Sequence, residues 1–546
     1  MSLPVSIFND VIGPVMRGPS SSHCAAALRI GRLARDLMGG EFDEVLVEFD
    51  RAGSLPTTHD SQGSDIGLCG GLLGWQADDD RLPESMQHLA DAGIGIRFET
   101  VDVGDEHPNT YRLTLRARDG RQHFLRAIST GGGMIEVLDI DDFAVSMFGD
   151  YYVTLLWVRS AGAASLAPLT AWIGDHCDQV SEHPGQAGSL LEIRGSRFLA
   201  TELLNRLRTE IAIDEVQNLA PALPISSFRG MQVPFVSAAE LVRHDAGREQ
   251  SLLHYALEYE AARSGLPHEA IVDKMIEIVR ILRKSIQQGI AGTQYVDRIL
   301  PPQTPEFARR LEAGQLLDAG PASRIVLYVS ALMEVKSSMG VIVAAPTAGA
   351  CAALPAAVIA IAESQGKSER HMAEALLASG LIGVFIATPW SFAAEVGGCQ
   401  AEGGSAAAMA AGALVAMTGG TLSQSLAAAS MALQSMIGLI CDPVGNRVEV
   451  PCLGKNVMAA TNALACANMA LASFDPVIPF DEVVATARRV AGQMPRELRC
   501  TNLGGLSITP TSQAIEARLV AQQADRKAGC GGGCGCAQTI AVNAVR

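Results

Sequence analysis

Aromatic side chains make up only 5% of the 546 residues, and positive charge is scarce, with 42 Lys and Arg against 58 Asp and Glu and a net charge of −16. The shortage of cations leaves no basic stripe to displace counterions from a phosphate backbone, so no nucleic acid partner is expected. The N-terminus MSLPVSIFNDVIGPVM lacks both a basic region ahead of its short apolar run and a small-residue cleavage site, and does not read as a secretory signal. A cytoplasmic protein is expected, and its 12 cysteines then read as thiols, metal ligands or catalytic groups rather than a disulfide framework. Residues 340–362 carry no charge over a length that would span a bilayer. Two prolines and the absence of aromatic or Lys/Arg belts make them buried loop and helix, so no membrane partner is expected.

What is abundant points to close-packed helices: 48% of residues are hydrophobic, 54 are glycine, and alanine is frequent. Residues 1–150 read as an α+β domain, with helical periodicity in HCAAALRIGRLARDLM and strand alternation in EFDEVLVEFD and NTYRLTLRARDG. From 151 to 226 strand-like YYVTLLWV, SLLEIRGS and DEVQNLAPAL alternate with helical SLAPLTAWIGDH and RFLATELLNRLRTE, which fits a small βαββαβ unit. The three prolines of PALPISSFRGMQVPFVSA mark a boundary. A mainly α-helical domain follows over 227–525, its apolar helices SAAAMAAGALVAM and QSLAAASMALQSMIGLI central, and residues 526–546 form a Gly/Cys-rich tail.

Three cysteines stand beside Gly, Pro or acidic residues, in GGCQAEGGS at 397–405 and CDPVGNRVEVPC at 441–452. Cys399, Cys441 and Cys452 are separated by 41 and 10 intervening residues, so no local C-x-x-C ligand spacing exists. On spacing alone, buried structural cysteines and metal ligands fit equally. Their breaks next to apolar helices suit thiolates tuned by backbone amides, as in iron–sulfur sites. Glu402, Asp442, Lys455 and Asn456 flank these motifs, either as hydrogen-bonding partners of the site or as helix caps. Cys351, Cys69, Cys177 and Cys466 read as packing residues.

The stretches VIGPVMRGPSSSH, HPNT, AAPTAGACAALP, GGCQAEGGSAAAMAAGAL, GLICDPVGNRVEVPC and GGLSITPT resemble the iron–sulfur-dependent L-serine dehydratases, or L-serine ammonia-lyases. The similarity runs from about residue 5 to 515, in the order of that family's beta and alpha parts fused in one chain, and the middle unit resembles its ACT-type domain. The resemblance implies a lyase in which Cys399, Cys441 and Cys452 hold a [4Fe–4S] cluster whose fourth iron binds the substrate. Without pyridoxal phosphate, L-serine would lose its β-hydroxyl and α-proton to give pyruvate and ammonia. Ser20, Ser21 and Ser22 open a helix whose free amides suit the carboxylate of this small amino-acid substrate, and a plain N-cap is the other reading. His23 would orient substrate or move protons, and His107 and Ser129 would lie near the substrate. Ala-rich apolar faces and the ACT-like unit suggest a homodimer.

Departures from the family's pattern cluster around this pocket. Gln62 in HDSQGSD stands where a histidine is expected, leaving His59 as a stand-in base. Cys24 replaces a threonine, Pro389 and Trp390 precede the first cluster cysteine, and Cys500 takes an acidic position. They leave open the same chemistry on another β-hydroxy or β-thiol amino acid, such as cysteine desulfidation, or a non-catalytic amino-acid-sensing protein. In the tail, Cys530, Cys534 and Cys536 lie on a glycine-rich stretch; the resemblance implies that a C-terminal cysteine would reach the open iron, and metal capture, a redox-sensitive end or a tail without function are the other readings.

Overall fold

The computed structural model describes residues 3–17, 21–60, 62–159, 172–174, 176–186, 188–295 and 297–529, the last seven of these by their backbone only. Six strands form the N-terminal sheet in the order Gly95–Val101, Glu44–Asp50, Thr110–Arg116, Gln122–Gly131, Met134–Ile140, Phe143–Met147. Glu44–Asp50 runs parallel to Gly95–Val101, and the other pairs are antiparallel. Alternate residues such as Val45, Val47 and Phe49, or Tyr111, Leu113 and Leu115, point into one core with Ile30, Leu33 and Leu37 of the helix Ser21–Leu37.

That helix crosses the helix Ser64–Leu72 with backbones in contact. A Cβ on Gly67 would lie 2.2 Å from the Cys24 carbonyl oxygen, and one on Gly71 would lie 2.1 Å from that of Leu28. Only glycine permits this approach, which sets the first turn of one helix beside that of the other.

The second unit is a four-stranded antiparallel sheet in the order Ile213–Leu219, Tyr152–Arg159, Gly188–Gly195, Gln179–Pro184, with the helix Thr201–Glu210 before its last strand. Gln179–Pro184 was not recognised from its sequence, whose polar run QVSEHP lacks an apolar face. Most of the expected first helix lies outside the described residues. Strand Tyr152–Arg159 serves two cores at a period of two: Val153 and Leu155 join the N-terminal core, while Leu156 and Val158 pack with Leu191, Ile193 and Leu207.

The helical unit is built round Ser405–Met417, whose residues 405–415 are all buried, enclosed by Ala353–Ser364, Glu369–Ala387, Leu422–Gln434 and Cys452–Leu471. Alanine lets these helices approach closely, so the scarcity of aromatics costs no packing density. Glu369–Ala387 is long and apolar enough by composition to cross a membrane, but 78% of its apolar window is buried within the protein.

Two findings modify the sequence reading. The helical unit contains a strand, Val341–Val343, which pairs antiparallel with Val15–Arg17. Ile7, Phe8, Val11 and Ile12 ahead of that pair sit in the helical core. Secondly, the last helix, Pro510–Gly529, runs past the expected start of the tail at 526, because the Ala, Gln, Arg and Lys of VAQQADRKA are good helix formers until Gly529.

Candidate thiol centre and active site

The strand Val15–Arg17 fixes where the serine motif meets the helical unit, since Arg17 lies opposite Val341 and donates to the carbonyls of Met339 (3.3 Å) and Asp79 (2.8 Å). Ser20 lies outside the described residues. Ser21 and Ser22 open the helix Ser21–Leu37, and the buried Ser21 Oγ has no hydrogen-bond partner among the described residues. A hydroxyl buried this way at a helix N-terminus suits an anionic guest. Burial lowers the pKa of His23, and the nearby charge of Glu395, four residues before Cys399, opposes that shift.

His59 follows the short helix Leu55–Thr58. Its Nδ1 hydrogen-bonds both oxygens of Asp65, at 2.7 and 2.8 Å, and its ring stacks on Phe98 at 5.2 Å. The imidazole is thus held by a carboxylate that fixes its orientation, as a general base requires. Burial raises the pKa of Asp65, and the hydrogen bond from His59 works against that. The buried Gln62 Oε1 is unpartnered among the described residues.

His107 and Ser129 both lie around Asn109, whose side chain is hydrogen-bonded by Ser54, the residue before the helix Leu55–Thr58. His107 Nδ1 accepts from the Asn109 N–H at 3.2 Å, and the Ser129 N–H donates to the Asn109 carbonyl at 3.1 Å. Ser129 is on the strand Gln122–Gly131, and the glycine-rich turn begins only after it.

The buried Cys399 and Cys441, far apart in sequence, pack together, and the buried Cys452 feels the charge of Cys399. Cys399 precedes the π-helical turn Gln400–Gly404, Cys452 begins the helix Cys452–Leu471, and Cys441 lies in an isolated bridge with Arg499. Hydrogen bonds with the Cys399 and Cys500 thiols, and then burial, push the Cys441 thiol pKa upward. Burial does the same to Cys452, assisted by the nearby Cys399 charge.

Lys455 Nζ is 3.6 Å from Cys399 Sγ and donates to Asp442 Oδ1 and the Ile440 carbonyl, both at 2.7 Å. Asp442 Oδ2 accepts the Leu506 N–H at 3.0 Å. Trp390 covers the turn before Cys399, leaving 2.7 Å between its ring and where a Gly397 Cβ would stand. Burial raises Glu402 to about 7, while Thr347 Oγ1 donates to it at 2.7 Å. The buried Lys336 donates to the Val448 carbonyl at 3.4 Å, and burial lowers its pKa. Asn456 Nδ2 ties the Gly349 carbonyl (2.8 Å) to that of Cys452 (2.9 Å). Thus Asp442, Lys455, Glu402 and Asn456 hydrogen-bond around the thiols.

The donor set fits an iron–sulfur cluster. Soft thiols in an apolar wall, beside a buried ammonium that offsets thiolate charge, are the ligands such clusters take. No group of three or more His, Cys, Asp or Glu among the described residues is arranged for a single metal ion. A cluster, which spreads its ligands over several irons, does not need that compact shell. Two grooves of about 550 and 700 Å³ on the helical unit share no lining residue with the thiols or with the serine motif. Cys530, Cys534 and Cys536 lie outside the described residues.

Sequence reasoning marked Cys500 only as a departure and missed Asp65, Glu395 and Lys336. An isolated cysteine before GGL was the one available signal for Cys500. Asp65 is six residues from His59, a spacing that belongs to no single helix face.

Fold and site together define a chain in which an α+β unit carrying an Asp-oriented histidine joins a helical unit carrying a buried thiol centre. The family model described as "Serine dehydratase alpha chain" matches residues 247–507. The probable L-serine dehydratase alpha chain of Bacillus subtilis (strain 168) is 36% identical over 251 residues, 46% of this chain and 84% of that relative. The probable beta chain of the same organism is 40% identical over 221 residues, 39% of this chain and 98% of that relative. The L-serine dehydratase of Streptomyces coelicolor is 32% identical over 286 residues, 51% of this chain and 62% of that relative. The chain belongs to the L-serine dehydratase family and joins counterparts of its beta and alpha chains in one polypeptide.

Proposed function

We propose that this protein is a [4Fe–4S]-dependent, pyridoxal phosphate-independent L-serine ammonia-lyase, with Cys399, Cys441 and Cys452 as the cluster ligands. The observation that carries this reading is the packing of Cys399 against Cys441 beside the Lys455–Asp442 pair, with Cys452 opening the helix that carries Lys455. When bound, such a cluster supplies a Lewis-acidic iron that eases departure of the β-hydroxyl.

The chain's own residues do the rest. The Ser21 hydroxyl and the helix behind it hold the substrate carboxylate. His59, steadied through Nδ1 by Asp65, takes the α-proton on Nε2. Loss of that proton and of hydroxide, together one water, gives 2-aminoacrylate. This tautomerises to the imine and hydrolyses to pyruvate and ammonia. His23, which feels the charge of Glu395, relays the proton released to the leaving hydroxyl. The proposal includes a cytoplasmic homodimer acting on a small amino acid.

A second reading keeps the chemistry and changes the substrate to another β-hydroxy or β-thiol amino acid. The buried Gln62 Oε1, unpartnered among the described residues, favours it, since an amide there accepts a hydrogen bond in place of exchanging a proton. The His59–Asp65 pair weighs against a purely sensory protein. Anaerobic reconstitution followed by 2-oxo acid release from L-serine tests the reading, with chelated and air-oxidised protein as blanks. Pyruvate that vanishes with the cluster is expected. An intact cluster that releases none from serine, but acts on L-cysteine or a related amino acid, would transfer the assignment to the second reading.

A further inference from the structure

Cys500 reaches the thiol centre on a loop the fold holds in place at several points. The Cys441 N–H donates to the Leu498 carbonyl at 2.9 Å and the Cys500 N–H to the Cys441 carbonyl at 3.3 Å, so the two cysteines lie on adjoining backbone segments. Beyond Cys500, Ser507 Oγ donates to the Pro443 carbonyl at 2.8 Å, and the Leu506 N–H donates to Asp442, the partner of Lys455. Gly505, at φ +60°, presses so near Asp442 that a Cβ would lie 2.6 Å from that side chain. Cys500 and Asn502 both hold left-handed backbone conformations, at φ 59° and 58°, which residues with a Cβ seldom adopt unless the surroundings impose them. The Asn502 Oδ1, two residues from the thiol, is buried without a partner among the described residues.

Elsewhere Cys24 and Cys69 sit among apolar side chains, as packing cysteines do. Cys500 instead packs with Cys399 and Cys441. We infer that Cys500 is a fourth cysteine ligand of the centre, supplied by the loop after the helix Phe480–Gln493. This rests on the cluster reading above. Its thiol gives its proton to solvent as the sulfur binds iron. Cys500 is half-buried, whereas Cys399, Cys441 and Cys452 are buried, so it is the ligand that can yield to a substrate oxygen.

The test uses full-length protein reconstituted anaerobically: wild type, Cys500→Ala, Cys500→Ser, and a variant with Cys530, Cys534 and Cys536 all changed to Ala. Iron and sulfide content, far-UV circular dichroism and the EPR signal of the three-iron product of mild ferricyanide oxidation are followed. Folded Cys500→Ala protein is expected to keep its cluster but to lose one iron at least tenfold faster than wild type, with Cys500→Ser intermediate and the tail variant unchanged. Equal rates in wild type and both Cys500 variants, or faster loss in the tail variant alone, would overturn the inference. So would a Cys441–Cys500 disulfide in the reconstituted wild type. Wild type that binds no iron would instead overturn the cluster reading and, with it, the role given to Cys500.

Discussion

Replacing Lys455 with methionine removes an ammonium that makes two 2.7 Å hydrogen bonds, one of them to Asp442, in a place where the two side chains are only 14% and 7% exposed. Asp442 keeps the Leu506 N–H on Oδ2 but loses the counter-charge on Oδ1. Breaking a buried pair by removing one partner costs about 3 kcal/mol, because the remaining charge is left uncompensated. For a cooperative unit of this size that is roughly a 5–10 °C fall in melting temperature. Asp442→Asn in the same chain removes the stranded charge and keeps an acceptor for Leu506. The double variant is therefore expected to recover about 1–2 kcal/mol relative to additivity. Thermal melts of the four members of the cycle, reduced and free of iron, supply the measurement. Strict additivity, or a loss under about 1 kcal/mol for Lys455→Met, would refute the argument that this pair holds the thiol loops together. The pH dependence has a definite sign. Burial would lower the Lys455 pKa, but Cys399 and Asp442 raise it on balance above its ordinary 10.5. A base with a raised folded pKa contributes stability that is complete below its unfolded pKa and lost as pH rises through the folded one. The alkaline decline in stability should shrink in Lys455→Met.

Changing His59 to Ala should lower kcat for pyruvate formation by about 10²–10⁴-fold with iron and sulfide content unchanged; a loss below tenfold would remove His59 as the base. A Gly67→Ala variant puts a methyl 2.2 Å from the Cys24 carbonyl oxygen, and denaturant melts should show a destabilisation of about 1–3 kcal/mol from overpacking. For Glu402, burial raises the pKa from 4.5 to about 7, so the unfolded chain ionises first and stability falls as pH climbs between those values. The full penalty is about 3 kcal/mol above pH 7. Glu402→Gln should flatten that fall in pH-dependent melts, and an unchanged slope would show that Glu402 does not carry it.

Local pattern made much of this protein legible from sequence. Period-2 alternation in EFDEVLVEFD became the strand Glu44–Asp50, and the apolar runs around 405–417 and 422–434 became buried helices, because each pattern can bury only one kind of face. The motifs around Cys399, Cys441 and Cys452 marked the thiols, since Gly and Pro beside cysteine signal backbone breaks that a short-range reading can see. Partnership between distant segments was not legible. Val15–Arg17 is too short to declare a strand until Val341–Val343 supplies its hydrogen bonds. Asp65 became the partner of His59 because the turn between the helices Leu55–Thr58 and Ser64–Leu72 brings the carboxylate back onto the ring. Cys500 reached Cys441 through a bridge between segments 58 residues apart, Cys441 and Arg499, and through a glycine turn pressed against Asp442. Residue chemistry and local periodicity therefore named the elements and most of the reactive groups. Only the tertiary structure decided which of those groups meet, because such contacts depend on backbone approach and long-range hydrogen bonds that leave no periodic trace along the chain.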